Sequence, residues 1–319
     1  MFKYLINLIL FVLPFVLYLL LEIYIDPFDI LRNETRPALV LLKKHISYKM
    51  NNQLYKLQKF SIDPSEAIIL GDSRAARLSS EYYSSLSGLK TANMAYGGGS
   101  LLEIIDTFWY IAKYDSLKQV VIALNLGLYN QEKNINRVPE AIEIKNSLIS
   151  YVTSTYCIKS TALIGWSLLS SSKIQLNRPN LNRDEFWEYQ LNVTANNDYR
   201  NYVYPKNMAR ELKAISNFCI DRDIDLVFLI PPTHVDLQAK IQYYNLIQEE
   251  IAFKNDLAYL GDVYDFDYPN SITENSLNYV DPYHFNDSIA RNIIHELVTS
   301  DSGFARVTHF KRTDSAKIN

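Results

Sequence analysis

AIILGDSRAA, residues 67–76, runs four apolar residues into Gly71-Asp72-Ser73 and on to an arginine and two alanines. Gly, Asp and Ser are common turn formers, so a plain turn accounts for the stretch. A nucleophile carried on a strand-to-helix turn, its serine presented where a buried strand ends, has the same form. The pattern around it decides between the two.

Short apolar runs recur at VVIAL (120–124), DLVFLI (225–230) and LAYLG (257–261), with a weaker strand at LKTANMA (89–95). Between them, 100–114, 205–223, 236–255 and 286–300 place apolar residues at spacings of three and four, as amphipathic helices do. Strands alternating with helices predict an α/β fold, a mostly parallel sheet with helices on both faces. Runs such as VVIAL and LVFLI, apolar throughout, fit interior parallel strands. This alternation spans residues 64–301. Residues 131–200 show no convincing strand and are too long for a connection, so they read as a partly helical insertion over one edge of the sheet. The polar tail, 302–319, reads as mobile.

The N-terminus has a different character. Tyr4–Leu21 contains no charged side chain, and at 1.5 Å per residue it spans roughly 27 Å, close to the hydrocarbon thickness of a bilayer. No small-x-small cleavage site follows it in LEIYIDPFD, which favours an uncleaved transmembrane anchor over 1–25. Lys3 precedes the span while Glu22, Asp26 and Asp29 follow it. That asymmetry weakly directs the body of the chain out of the cytoplasm. Residues 26–63 read as a helical connector.

Composition bounds the rest. The 319 residues are 48% hydrophobic and 21% charged with a formal net charge of −3, which is globular and gives no electrostatic case for nucleic acid. Cys157 and Cys219 lie far apart, and spacing leaves open whether they pair. The dinucleotide, Walker and zinc-protease motifs are absent. The five histidines show no ligand spacing, so neither a metal nor an organic cofactor is expected.

In open α/β sheets, sites form beyond the carboxyl ends of the strands. Those positions hold Gly71-Asp72-Ser73-Arg74, NMAYGGGS with Gly97–Gly99, NLGLYN with Asn125 and Asn130, PPTH with His234, and VDPYHFN with Asp281 and His284. Serine catalysis needs a base and a carboxylate that orients it, and Asp281 lies three residues from His284. A glycine loop, a strand-end asparagine and the N–H after the turn are suited to stabilise an oxyanion.

With these residues, the chain resembles the SGNH/GDSL hydrolases over ~65 to ~300, the span of the strand pattern. The resemblance implies a flavodoxin-like sheet and ester hydrolysis or acyl transfer through an acyl-serine. It assigns Ser73 as nucleophile, His284 as base, Asp281 as its orienting partner and Gly98 as an oxyanion donor. The family's Gly-x-Asn-Asp block is missing: Leu124-Asn125-Leu126-Gly127 puts a glycine where its asparagine belongs, and Asn125 is the nearest substitute. Asp72, Arg74 and His234 are weaker substrate-contact candidates, each with a structural alternative. Trp166 and Trp187 are candidates for stacking on sugars, with packing the commoner role.

A single anchor before an exported domain of this kind is similar in layout to proteins that O-acylate cell-envelope polysaccharides beside a multi-span membrane O-acyltransferase. The function expected is therefore a membrane-anchored O-acyltransferase acting on an extracytoplasmic polysaccharide. The alternatives are a carbohydrate esterase of the same fold and a non-catalytic glycan- or complex-binding protein.

Overall fold

The computed structural model describes residues 2–170, 182–301 and 303–310. Residues 171–181 of the expected insertion, and 302 and 311–319 of the expected tail, lie outside them.

The chain opens with helices α1 (Phe2–Ile25), α2 (Pro37–Met50) and α3 (Asn52–Ile62). Next come β1 (Ala67–Leu70), α4 (Ser80–Ser87), β2 (Thr91–Asn93), α5 (Leu101–Ile111) and β3 (Gln119–Ala123). Helices α6 (Val138–Asn146), α7 (Leu148–Thr153) and α8 (Thr155–Ser170) follow. Then α9 (Arg183–Tyr189) and α10 (Ala195–Tyr199) are joined by a π-helical turn over Gln190–Thr194. After α11 (Lys206–Asp221) come β4 (Asp225–Ile230), α12 (Val235–Tyr243), α13 (Ile247–Ala258) and β5 (Asp262–Asp265). The series ends with β6 (Tyr279–Asp281), β7 (His284–Phe285), α14 (Asp287–Thr299) and β8 (Arg306–Thr308).

These elements form two compact units. The first comprises the described parts of Met1–Pro64 and Arg137–Pro179. Its α1 is long and apolar enough to cross a membrane. Ile25, Leu39, Ile46 and Ile164 form its apolar core. Between α1 and α2, the buried Lys43 ammonium lies 2.6 Å from Asp29, whose other oxygen takes Lys59 at 2.6 Å. The Asp26 carboxylate accepts the N–H groups of Ile30, Leu31 and Arg32 and the hydroxyl of Tyr151. The residues read as a connector are thus half of a helical bundle. The other half, α6–α8, comes from the stretch read as one insertion. That reading is corrected: residues 137–170 supply the apolar faces that α2 and α3 cannot bury alone.

The second unit, Ser65–Asn136 with Asn180–Asn319, carries a six-stranded sheet in the order β2-β1-β3-β4-β5-β8. The first five strands are parallel and β8 runs antiparallel to β5. Helices flank the sheet, and β1 and β3, which lie inside it, are buried almost throughout. Ile69, Val121 and Leu229 from the strands pack with Ile293, Ile294 and Leu297 of α14 in one apolar core.

Three local expectations are corrected. LAYLG is not a strand. Leu257 is buried on the last turns of α13, and Gly261 then passes so close to β4 that a Cβ there would lie 2.7 Å from the Leu226 carbonyl oxygen. The strand is the next segment, Asp262–Asp265. The helix expected over 236–255 is two helices, broken where Asn245 takes a left-handed φ of 57°. The tail is not wholly loose. The buried Glu296 carboxylate accepts the N–H groups of Phe304 and Ala305, which directs Arg306–Thr308 onto the open edge of β5. Both cysteines are free buried thiols, one in each unit.

Candidate active site

The turn that carries Ser73 begins where β1 leaves the sheet. Gly71 has φ 151°, and a Cβ there would lie 2.7 Å from Ala75 Cβ and 3.0 Å from Ala123 Cβ, so only glycine lets the chain turn this tightly against β3. The half-buried Ser73 follows, and a 3₁₀ turn over Ala75–Arg77 carries the chain away. Asn93, at the end of β2, donates its amide to the carbonyls of Ala75 and Leu78 at 2.8 Å each and holds that turn in place.

Asp72 and Arg74 clasp each other around the serine. Asp72 Oδ1 accepts the Arg74 backbone N–H at 2.9 Å, and its Oδ2 accepts Nε at 3.0 Å and Nη2 at 2.5 Å. Both side chains are buried. Burial alone would raise the Asp72 carboxyl, but the adjacent guanidinium overrides it and holds the group at about 2. This pairing accounts for both residues as structure around the serine rather than as free contacts for substrate.

His284 and Asp281 arrive from the other end of the chain. Asp281 ends β6 and His284 begins β7, and this small antiparallel pair sets the two residues opposite each other. His284 Nδ1 lies 2.7 Å from Asp281 Oδ2, and His284 Nε2 lies 2.7 Å from Ser73 Oγ. A carboxylate beside Nδ1 makes that nitrogen the donor and leaves Nε2 to accept the serine hydroxyl proton. Asp281 Oδ1 also accepts the Tyr283 N–H at 2.9 Å, which fixes the carboxylate in the loop.

His234 supports this loop rather than facing a cleft. Its N–H donates to the Pro282 carbonyl at 2.9 Å, and its Nδ1 accepts the Asp236 N–H, capping α12. Its ring is buried between Trp187 and Tyr279 at centroid distances of 4.9 and 5.6 Å. Trp187 therefore packs here, with Arg183 over its ring. Trp166 lies exposed in the other unit.

Three hydrogen-bond donors at this edge of the sheet have no partner among the described residues. Two are the backbone N–H groups of Ser73 and Gly98. The third is Asn125 Nδ2, buried just beyond β3. Asn125 Oδ1 accepts the Leu128 N–H at 3.0 Å, which fixes which end of the amide is nitrogen. Gly98 has a left-handed φ of 62°, whereas the N–H of Gly99 is taken by the Tyr96 carbonyl. The glycine turn lies directly on the Ser73 turn: Tyr96 N–H donates to Gly71 O, and a Cβ on Gly99 would sit 3.6 Å from Asp72 Cα.

A polar network unseen in the sequence surrounds these groups. The Arg74 guanidinium lies over the Tyr283 ring, and the Tyr283 hydroxyl donates to Asp198 Oδ2 at 2.9 Å. Burial, reinforced by Tyr199 and Asp198, pushes that hydroxyl far above the usual phenol range, so it remains a neutral donor. Asp198 Oδ1 takes Lys133 at 3.2 Å, and the Asp198 carbonyl accepts the Asn130 amide at 3.0 Å. Asn130, the weaker oxyanion candidate, is thereby engaged in structure. A Cβ on Gly127 would lie 3.2 Å from Asn125 Oδ1 and 3.4 Å from Asp198 Cβ, so glycine at that position leaves room for the Asn125 amide. Asp198 and Lys133 had no motif to reveal them, and Asp198 follows a π-helical turn whose geometry no residue pattern announces.

Chemically, the arrangement can deprotonate a serine hydroxyl, hold the resulting imidazolium, and offer donors to a nearby oxyanion. Among the described residues no group of three or more His, Cys, Asp or Glu is placed to hold a metal ion. Compared with models of known protein families and with curated proteins, the chain has no significant match.

Proposed function

We propose that this chain is a membrane-anchored serine acyl-transfer enzyme of the SGNH/GDSL kind, acting on an extracytoplasmic polysaccharide. The observation that carries the proposal is the relay Ser73–His284–Asp281, with both links at 2.7 Å, assembled from residues 211 positions apart. Support comes from the parallel strand order 2-1-3-4-5, which is that of flavodoxin-like sheets, with the serine at the turn beyond β1, beside the β1/β3 switch point. The three unpartnered donors agree with it, and Asn125 Nδ2 stands in for the missing block asparagine.

In this reading His284 Nε2 takes the proton from Ser73 as Oγ attacks the carbonyl carbon of an acyl ester. The tetrahedral oxyanion is met by the N–H groups of Ser73 and Gly98 and by the Asn125 amide. The imidazolium then returns its proton to the leaving oxygen, giving acyl-Ser73 and a free alcohol. A second round adds an acceptor hydroxyl, and Ser73 regains its proton through His284. The acceptor is a sugar hydroxyl in the transferase and water in an esterase. Placement outside the cytoplasm rests on the apolar α1 with Lys3 before it and acidic residues after it. A multi-span membrane protein is the source of acyl groups in this scheme.

The test is intact-protein mass after exposure to a fluorophosphonate, together with p-nitrophenyl acetate turnover, for wild type and Ser73→Ala. One adduct and ester turnover, both lost in the variant, are expected. A folded wild type that neither labels nor turns over removes the catalytic reading and leaves a binding protein. Adding an oligosaccharide acceptor separates transfer from hydrolysis, since only transfer gives an acylated sugar by mass.

A further inference from the structure

The sheet unit has a concave feature on the flank of α11 and α13. A cavity of about 590 Å³ is lined there by Tyr129, Tyr204, Lys206, Arg210, Lys213 and Tyr259, among others. Lys206, Arg210 and Lys213 follow one another at spacings of four and three, so they project from one face of α11. All three are exposed, and none has a side-chain partner among the described residues. Helix α11 also begins without a side-chain cap or an acidic residue in its first turn, which leaves its positive end uncompensated.

Against these three cations stands a single lining carboxylate, Asp256, and it is already engaged. Its Oδ2 accepts the hydroxyls of Tyr129 and Tyr204 at 2.8 and 2.6 Å. That bond pair fixes two phenol rings, 5.6 Å apart and edge to face, with the buried Tyr129 behind the half-buried Tyr204 in one wall of the cavity. Tyr259, 79% exposed, places a third ring at the rim. Tyr129 also donates its N–H to the Asn125 carbonyl at 3.0 Å, so the cavity starts on the segment that carries the unpartnered amide of the active site.

We infer that this cavity is a binding site for the acidic part of a glycan substrate, such as a uronate-bearing segment, running from the catalytic edge along α11. The inference rests on the glycan acyl-transfer reading above and adds the charge of the substrate to it. The exposed face of Tyr259 suits the C–H face of a sugar ring, and the unpaired cations suit carboxylates held at intervals along a polymer. The whole chain carries a net charge of −3, so this cationic strip is a local feature and not a general basic surface. Its concave form suits a single extended chain better than the flat headgroup plane of a bilayer.

The experiment uses the full-length protein in detergent, with galacturonate oligosaccharides and uncharged cello-oligosaccharides of equal length as probes. Calorimetric titration is run on wild type and on the triple variant K206Q/R210Q/K213Q, at low and high salt. The expected result is binding of the acidic oligomer that weakens by about tenfold or more in the variant and with added salt, since exposed charge pairs are screened. The uncharged oligomer should bind much more weakly, and p-nitrophenyl acetate turnover should be unchanged in the variant. Equal affinity of variant and wild type, equal affinity for acidic and uncharged oligomers, or no binding of either overturns the inference. Tighter salt-sensitive capture of phosphatidylglycerol vesicles or oligothymidylate than of galacturonate overturns it in favour of those ligands. Because ester turnover is read separately, loss of the acyl-transfer reading is distinguishable from loss of the binding site.

Discussion

The Arg74 guanidinium lies 5.4 Å from the centre of the Tyr283 ring, so the residue after Ser73 packs on the residue before His284. The same guanidinium is clasped by Asp72 on the other side of Ser73. One side chain therefore ties together the two turns that bring Ser73 Oγ within 2.7 Å of His284 Nε2.

Replacing that side chain should misalign the relay without removing any member of it. Arg74→Lys cannot reproduce the two-nitrogen grip on Asp72. We expect kcat for p-nitrophenyl acetate to fall by about 10- to 100-fold, the range that small misplacements of reacting groups produce. Fluorophosphonate labelling should slow in parallel. Labelling at the wild-type rate would show that the turns hold their places without Arg74.

Asn125→Ala tests the unpartnered amide. Loss of one oxyanion donor typically lowers kcat by about 10²–10³ with KM little changed. The variant also gives up the bond from Leu128 N–H, a stability cost of about 1 kcal/mol readable by chemical denaturation. A kcat within about threefold of wild type would move the donor role elsewhere, since that is far below the effect of removing such a donor.

Asp281→Asn keeps the size of the side chain but removes the carboxylate that holds His284 Nδ1 as donor. A wrong tautomer in comparable triads costs about 10⁴ in kcat. Folding, checked by circular dichroism, should persist, because the backbone bonds pairing β6 with β7 do not involve this side chain.

The Asp72 carboxyl sets a pH dependence of stability. Its folded value of about 2 lies below the 3.8 of an ordinary aspartate, so the folded state binds fewer protons than the unfolded state in that range. The linked stability is fully present above about 4 and is lost as pH falls through about 2, amounting to roughly 2 kcal/mol. Asp72→Asn should flatten the denaturation midpoint between these pH values. At neutral pH it should destabilise by about 3–5 kcal/mol, because Arg74 is left buried and unpaired. Equal acid sensitivity in variant and wild type would place the titrating group elsewhere.

Asp198→Asn should weaken both the Tyr283 bond and the Lys133 pair while preserving shape. A fall in kcat of about tenfold is expected for a displaced base loop, and Tyr283→Phe should reproduce part of it. If Asp198→Asn lowers only the melting temperature and leaves kcat intact, Asp198 supports the fold alone.

Much of this arrangement was legible in residue order. Ser73, Gly98, Asp281 and His284 each follow a strand or precede a helix in a strongly periodic chain, and periodicity locates strand ends well. Asn125 was within reach for the same reason. LAYLG misled because five residues rich in Leu fit a buried helix end as readily as a strand, and only the tight pass of Gly261 under β4 distinguishes them. The helical segment 137–170 misled because its partners, α2 and α3, precede it by some eighty residues, a pairing that local periodicity does not encode.

The order of apolar and polar residues was by itself enough to require alternating strands and helices, an apolar first helix, and a serine turn at the end of a buried strand. Those properties depend on contacts between near neighbours along the chain. The 2.7 Å relay, the unpartnered state of three donors, and the Arg74–Tyr283–Asp198–Lys133 network depend on segments as far apart as 73 and 284. Tertiary packing alone decides these, because a hydrogen bond between remote residues is set by the register of the sheet and the closure of the loops, not by the residues flanking either partner.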